Sequence, residues 1–470
     1  MSDDTGELGG AWTRSSKGGP SWYEPQEGNM SEARTLQPMS PGLLRVMETA
    51  RRNPHERQFS LAHLIDVDAL RRAFGRLRKQ SAVGIDGVSK EEYGRSLEEN
   101  LQNLHERLKT MKYRHQPIRR VHIPKDRNRM RPIGISATED KIVQGALREM
   151  LEAIYEQDFI DGSYGFRPGR SPHDALRELN RAVRRGAANV ILEADVMSFF
   201  DNIDRPMLME MLQERIADKS FIRLVGKCLH VGVLDGEEFS KPEEGTVQGS
   251  VISPILGNIY LHNALDRWFE KEVKPRLKGK SILIRYCDDF LIGFELREDA
   301  ERVMAVLGKR LGRYNLKLHP DKTRLIDFRR PKLEQKGGKG LGTFDFLGFT
   351  LYWRRNHKGP GWHVSWKTRR SRLSRATRAV NDYCRSHRHE PVKVQHAALV
   401  SRLRGHFNYF GVNDNVDSLS MLRTKAAHFW HKWLNRRSQR ARKSWERFNE
   451  MLRDFPLPAP RVVVDLWTDP

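Results

Sequence analysis

Apolar and polar positions change period several times along the chain, and each change marks a different kind of element. Residues 1 to 40 carry little periodicity and are rich in Gly, Ser, Pro and charge, which predicts a mobile leader. Helical spacing begins at Pro41-Gly42-Leu43-Leu44 and returns from Asp66 to Phe74. Ser81 to Val88 is a glycine-rich loop, and Glu91 to Met111 has the spacing of one amphipathic helix. From about residue 118 short apolar runs alternate with helical stretches. Ile118 to Pro124 and Arg131 to Ile135 read as strands around a basic turn, Lys125 to Arg129, and a helix follows from Thr138 to about Tyr155. Val190 to Val196 is a strand with an acid, Asp195, near its end. Ile282 to Tyr286 and Phe290 to Phe294 read as two strands around a tight turn. Strands and helices mixed in this way predict an α+β core. After about residue 356 the pattern turns helical, over Val392 to Tyr409 and Ser418 to Trp433, and no internal repeat at a fixed period occurs. The expected organisation is a leader over 1–40, an α+β unit over 41–355 and a basic helical unit over 356–470.

Charge sharpens this picture. The 470 residues hold 83 Lys+Arg against 60 Asp+Glu, a formal net charge of +23, so a polyanion is the natural partner and an anionic membrane surface the competing one. No uninterrupted apolar run is long enough for a transmembrane helix, and the N-terminus lacks the apolar core of a secretory signal. A cytoplasm-like compartment of bacterial type, open to nucleoid association, is therefore expected. Cys228, Cys287 and Cys384 are far apart and form no CxxC pair, which argues against a zinc site or a disulfide framework. Ser386-His387-Arg388-His389 reads as a solvated basic patch rather than a metal site.

The most informative tetrapeptide is Tyr286-Cys287-Asp288-Asp289, two adjacent carboxylates inside an otherwise apolar strand-turn-strand. Unpaired carboxylates there would be costly, and a divalent cation with a preference for hard oxygen ligands would neutralise them. Adjacent strands could bring Asp195 to the same place. Such a cluster suits phosphoryl transfer, in which two Mg²⁺ ions about 3.5–4 Å apart activate a hydroxyl and stabilise the leaving pyrophosphate. A solvated Asp-Asp turn is the alternative. Gly245 to Pro254 is a glycine-rich loop leading into a helix, suited to close approach to a nucleotide or template base, or to an ordinary helix cap.

Taken together, these stretches resemble a group II intron reverse transcriptase and maturase, over roughly residues 60 to 465. The resemblance rests on RPIGI at 131–135, SYGFRPGRS at 163–171, ADVMSFFDNID at 194–204, GTVQGSVISPILGNIYLH at 245–262, RYCDDFLIGF at 285–294, LHPDKTR at 318–324, FDFLGF at 344–349 and RLRGHFNYFGV at 402–412. It implies a right-hand polymerase, fingers and palm, followed by an α-helical thumb and maturase (X) domain. It further implies that Asp195, Asp288 and Asp289 are the catalytic acids and hold two Mg²⁺ ions, with Mn²⁺ as a substitute. Phe200 matches an aromatic gate against a ribose 2′-OH, with a core phenylalanine as the alternative; Phe199 reads as core. Lys125 and Arg131 match finger residues that contact the triphosphate of an incoming dNTP by charge-assisted pairing. Gln248 and Gly249 match the lining of the nucleotide pocket, and Lys322 matches a lysine that protonates the leaving pyrophosphate. Phe346, Leu347 and Gly348 match a primer grip, though such aromatics also pack hairpins. The chain departs from the family in having Cys287 where Ala is commoner, and Val247 in place of the usual Pro.

The implied partners are group II intron RNA, an RNA template with a DNA primer or target DNA, and dNTPs, with no membrane. The basic stretch with Arg369, Arg370, Arg372 and Arg375 is the expected RNA surface, and binding through phosphates should weaken steeply with salt. Aromatics interleave with these arginines and could stack on bases, but Phe429, Trp430 and Trp433 fall at the helical spacing of a core. Many relatives append an HNH-type endonuclease with paired cysteines. That pattern does not occur here, so priming from nascent strands is expected of a mobile element of this kind. The leading expectation is RNA-directed DNA synthesis combined with intron splicing and mobility by target-primed reverse transcription. A non-catalytic RNA-binding maturase, or a relative recruited to host defence or DNA repair, are the alternatives.

Overall fold

Apolar runs bounded by turns become strands, and the strands divide into three sheets. Among the residues described in the computed structural model, 40–468 apart from 125–129, 237, 241–243, 335–340, 357–358 and 439–441, the strands are β1 (Ile118–Pro124), β2 (Met130–Ile135), β3 (Val190–Asp195), β4 (Val233–Asp235), β5 (Glu238–Ser240), β6 (Ser281–Tyr286), β7 (Asp289–Phe294), β8 (Arg324–Asp327), β9 (Phe344–Phe346), β10 (Phe349–Arg355) and β11 (Trp362–Thr368). The leader up to residue 39 and the basic turn Lys125 to Arg129 lie outside the described residues. The sheet orders are β2-β1-β4-β5, β6-β7-β3-β8 and β11-β10-β9.

The central sheet, β6-β7-β3-β8, is antiparallel throughout and separates two hydrophobic cores. Successive side chains on a strand point to opposite faces. Val190, Leu192 and Ala194 of β3, with Phe290, Ile292 and Phe294 of β7, therefore enter a core built on the helix Thr138–Tyr155. Ile191, Leu291 and Ile284 enter a second core shared with the β9–β11 sheet and the C-terminal helices. Because both faces are covered, β3 and β7 read as continuous apolar runs instead of alternating ones. The α+β expectation holds, with helices dominating the chain after Arg370. Among the described residues no helix is long and apolar enough to cross a membrane.

Three details differ from the sequence reading. The helix expected over Glu91 to Met111 is two helices, Lys90–Gly94 and Leu97–Lys109. Ser89 caps the first by accepting from the Glu92 amide at 3.1 Å, and Ser96 leaves helical geometry at φ −120°, ψ 45°. Around residue 356 the chain does not become helical. The hairpin β10–β11 passes through that position, pairing Phe349 with Thr368 and Arg355 with Trp362, and the helices begin at Arg370. A last helix, Trp445–Asp454, was not marked in the sequence, and Ser444 caps it by accepting from the Arg447 amide.

A buried ion pair fixes the centre. The helix Ser253–Leu261 continues into a widened π turn, His262–Asp266, which carries Asp266 inward. Arg285 of β6 donates to both carboxylate oxygens of Asp266, at 2.8 and 2.6 Å, and neither residue is exposed. Burial alone would raise the Asp266 carboxyl, but the guanidinium together with the neighbouring His262 outweighs it and holds the acid below its ordinary range. Removing one member of such a pair strands the other charge in the interior. Asp266→Ala is therefore expected to cost about 3–5 kcal/mol of folding stability. Urea unfolding of parent and variant checks this, and an unshifted midpoint would contradict it.

Candidate active site

Register brings the acids together. In the antiparallel pairing of β3 with β7, Asp195 stands opposite Asp289, and β7 begins at Asp289 directly after the Cys287-Asp288 turn. That turn needs a left-handed residue, supplied by Cys287 at φ 58°. The buried thiol is raised well above its usual range by burial and the neighbouring Asp288. Two groups hold the turn from behind. Arg285 donates to the Cys287 carbonyl at 3.1 Å and, on other edges, to Asn258 at 2.9 Å and Ser163 at 2.8 Å. The backbone of Gly165 lies against the turn so closely that an added Cβ would come within 2.3 Å of the Cys287 nitrogen. The segment at 163–171 is thus the backing of the acidic turn, tied to β6 by Tyr164 N to Arg285 O and Arg285 N to Gly162 O, each 2.8 Å.

The carboxylates differ in their surroundings. Burial pushes Asp288 up and the Asp195 charge adds to this, while hydrogen bonding in the turn, from Cys287 among others, and the positive charge of Arg131 on β2 oppose it. Asp195 accepts from Lys322 Nζ at 2.5 Å. Lys322 is held there because His319 N donates to Asp195 O and Met197 N to Lys317 O, both at 2.8 Å. With side chains 58% and 36% exposed, the Lys322–Asp195 pair contributes little to stability and can exchange. Asp289 is exposed at the head of β7. Among the described residues no group of three His, Cys, Asp or Glu side chains is arranged to hold a metal ion. The donor chemistry nonetheless fits Mg²⁺: hard carboxylate oxygens on adjacent strands, with mutual repulsion between Asp195 and Asp288 that a divalent cation would relieve.

The other candidates surround this centre. Phe200 is half-buried against Phe199, ring centroids 5.0 Å apart, and Phe199 is core. The Phe200 carbonyl accepts from Thr246 N at 2.7 Å, which fastens the 245–250 loop to the palm. The same loop is fastened to β2, where Gly134 N donates to Gln248 O at 2.8 Å. Gly249 has φ 104°, and a Cβ there would meet the Gly134 oxygen at 2.7 Å, so no other residue fits. Val247 packs against Ile118, Val231 and Val233. Lys125 lies outside the described residues.

Farther along, Leu347 and Gly348 form the left-handed turn between β9 and β10, at φ 49° and 81°. Their carbonyls accept from Tyr409 Oη and Arg369 N, both at 2.9 Å. Phe346 and Leu347 are buried in the second core. Arg369 and Arg370 are exposed, and Arg372 and Arg375 half-exposed, on the first turns of the helix Arg370–Ser386 and the residue before it; Arg369 also pairs with Asp345 at 3.0 Å. Of the interleaved aromatics, Trp362, Trp366, Tyr383, Phe407, Phe410 and Trp430 are buried packing residues, which removes them as stacking platforms.

Sequence reading missed Arg285, Asp266 and Asn258. A signal existed for the first, a lone arginine in an apolar strand. Nothing local marked the others.

A family model described as reverse transcriptase (RNA-dependent DNA polymerase) matches residues 123–351. Protein YkfC of Escherichia coli K12 is 34% identical over 275 residues, covering 52% of this chain and 71% of that protein. The group II intron-encoded protein LtrA of Lactococcus lactis subsp. cremoris is 36% identical over 220 residues, 47% of this chain but 36% of LtrA. A putative COX1/OXI3 intron 1 protein of Saccharomyces cerevisiae is 34% identical over 221 residues, 47% of this chain and 26% of that protein. The acid-bearing sheet, the loop and turn around it, and these similarities lead to one conclusion: the chain belongs to the reverse transcriptase family, in the branch of group II intron-encoded reverse transcriptases and maturases.

Proposed function

We propose that this chain is an RNA-directed DNA polymerase that also binds a group II intron RNA, assists its splicing and moves it by target-primed reverse transcription. The observation that carries the reading is the β3–β7 register, with Asp195 opposite Asp289 and Asp288 in the adjoining turn. Asp195, Asp288 and Asp289 would hold two Mg²⁺ ions, which when bound supply activation of a primer 3′-hydroxyl and charge neutralisation at the leaving pyrophosphate. Arg131 binds the triphosphate through charge-assisted hydrogen bonds, and by the family resemblance Lys125 joins it. Lys322 Nζ holds a proton beside Asp195, where it can pass to the leaving group. Gln248 and Gly249 line the nucleotide pocket, and Phe200 bars a 2′-OH. Since the side chains of Phe346 and Leu347 are buried, the turn with Gly348 would meet the primer through its backbone. Arg369, Arg370, Arg372 and Arg375 contact RNA phosphates at the base of the thumb.

Incorporation of dNTPs on an RNA template with a DNA primer tests the reading. The parent is expected to require Mg²⁺ and to stop on chelation. Asp288→Ala should lower the rate by about 10³-fold, roughly 4 kcal/mol of barrier. A silent parent that still binds RNA tightly would point instead to a maturase that does not copy. Phe200→Val should admit ribonucleotides in single-nucleotide incorporation, and unchanged discrimination would remove Phe200 from that role. For the RNA surface, Arg370→Gln and Arg372→Gln should each lower the slope of log K against log salt by about 0.7–0.9 for every phosphate no longer neutralised. Slopes equal to the parent's would place the RNA elsewhere.

A further inference from the structure

Gln144 lies within the helix Thr138–Tyr155 with no exposed surface. A primary amide has two N–H donors and a carbonyl oxygen that can accept twice, and here all four are used. Nε2 meets Ser136 Oγ at 3.2 Å and His115 Nε2 at 2.8 Å. Oε1 accepts from Ser250 Oγ at 2.9 Å and from the Val251 amide at 3.0 Å. The Val251 N–H can only donate, so the amide has one orientation: oxygen toward the 245–251 loop, nitrogen toward His115. This requires His115 to accept at Nε2, with its proton on Nδ1 toward the Gln116 carbonyl 2.7 Å away.

The loop is therefore held at its start, middle and end. Its start is bonded to the palm through Thr246 N and Phe200 O, and its middle to the fingers through Gln248 O and Gly134 N. Its end is held by the Gln144 oxygen, through two successive residues. We propose that Gln144 is a positioning residue for the incoming nucleotide: by gripping Ser250 and Val251 it sets where Gln248 and Gly249 stand, and so sets dNTP affinity without touching the nucleotide. The inference rests on the polymerase reading of the site.

The test is steady-state single-nucleotide incorporation, with primer–template affinity and thermal unfolding measured alongside. Gln144→Leu keeps the apolar stem and removes every polar contact. It is expected to raise the dNTP KM about tenfold, the effect of removing two buried hydrogen bonds, with primer–template affinity unchanged. Hydrogen exchange at residues 246–252 should speed up. Ser250→Ala, at the edge of the contact and safer for folding, is expected to raise KM about threefold. Since both changes act on one contact, the double variant should be no worse than Gln144→Leu alone. Effects that add, or a KM that stays at the parent value in folded Gln144→Leu or, should that variant not fold, in Ser250→Ala, would overturn the proposal. A parent that does not polymerise sinks the functional reading and this inference with it, whereas an active parent with an unmoved KM sinks this inference alone.

Discussion

A single guanidinium organises the centre of this molecule. Arginine has five N–H donors, and those of Arg285 reach five acceptors: both oxygens of Asp266, Asn258 Oδ1, Ser163 Oγ and the Cys287 carbonyl. These belong to four parts of the chain, namely a helix, its π-turn extension, the 163–171 segment and the acidic turn. A lysine, with three donors on a point charge, could not join them all. Such a charge is tolerable in the interior only when every donor is matched, because the low dielectric penalises each one left over. The position of the acidic turn is thus a by-product of satisfying a buried cation, and the carboxylates need not secure their own place by mutual contacts that would repel.

Around this post the site is assembled from backbone fit more than from side-chain chemistry. Gly165 against Cys287, and Gly249 against Gly134, bring chain to chain at distances a side chain would prevent. The result is that fingers strand, loop and palm turn are in register before any substrate arrives, which is what preorganisation requires of a phosphoryl-transfer centre. Lys322 occupies Asp195 through an exposed, exchangeable pair. The acid is kept solvated and available.

Much of this was legible in the sequence, and the reasons are specific. The apolar runs ending in Asp195 and beginning after Asp289 are long and sharply bounded, so strand and acid positions follow from local pattern. The break between Gly94 and Leu97 was hidden because hydrophobic spacing continues across it, while the local cap at Ser89 and the geometry at Ser96 interrupt the backbone. The strand Trp362–Thr368 was obscured by the basic residues that follow it, and its tryptophans look like base-stacking residues until the fold buries them. Gln144 could not be read at all, since its partners His115 and Ser250 lie 29 and 106 residues away and a lone glutamine in a helix carries no periodic signal. Local spacing identifies what repeats; it is silent about contacts made once.

The palm sheet is the common wall of two cores, with neighbouring residues of one strand reporting to opposite sides: Leu192 to one, Ile191 to the other. Neither core can be opened without laying bare a face of the same four strands. The C-terminal helices are therefore no detachable appendage in a thermodynamic sense. Stripping them away would wet the back of the acid-bearing sheet, so the arginine-bearing C-terminal helices and the sheet that carries the acids are expected to melt together.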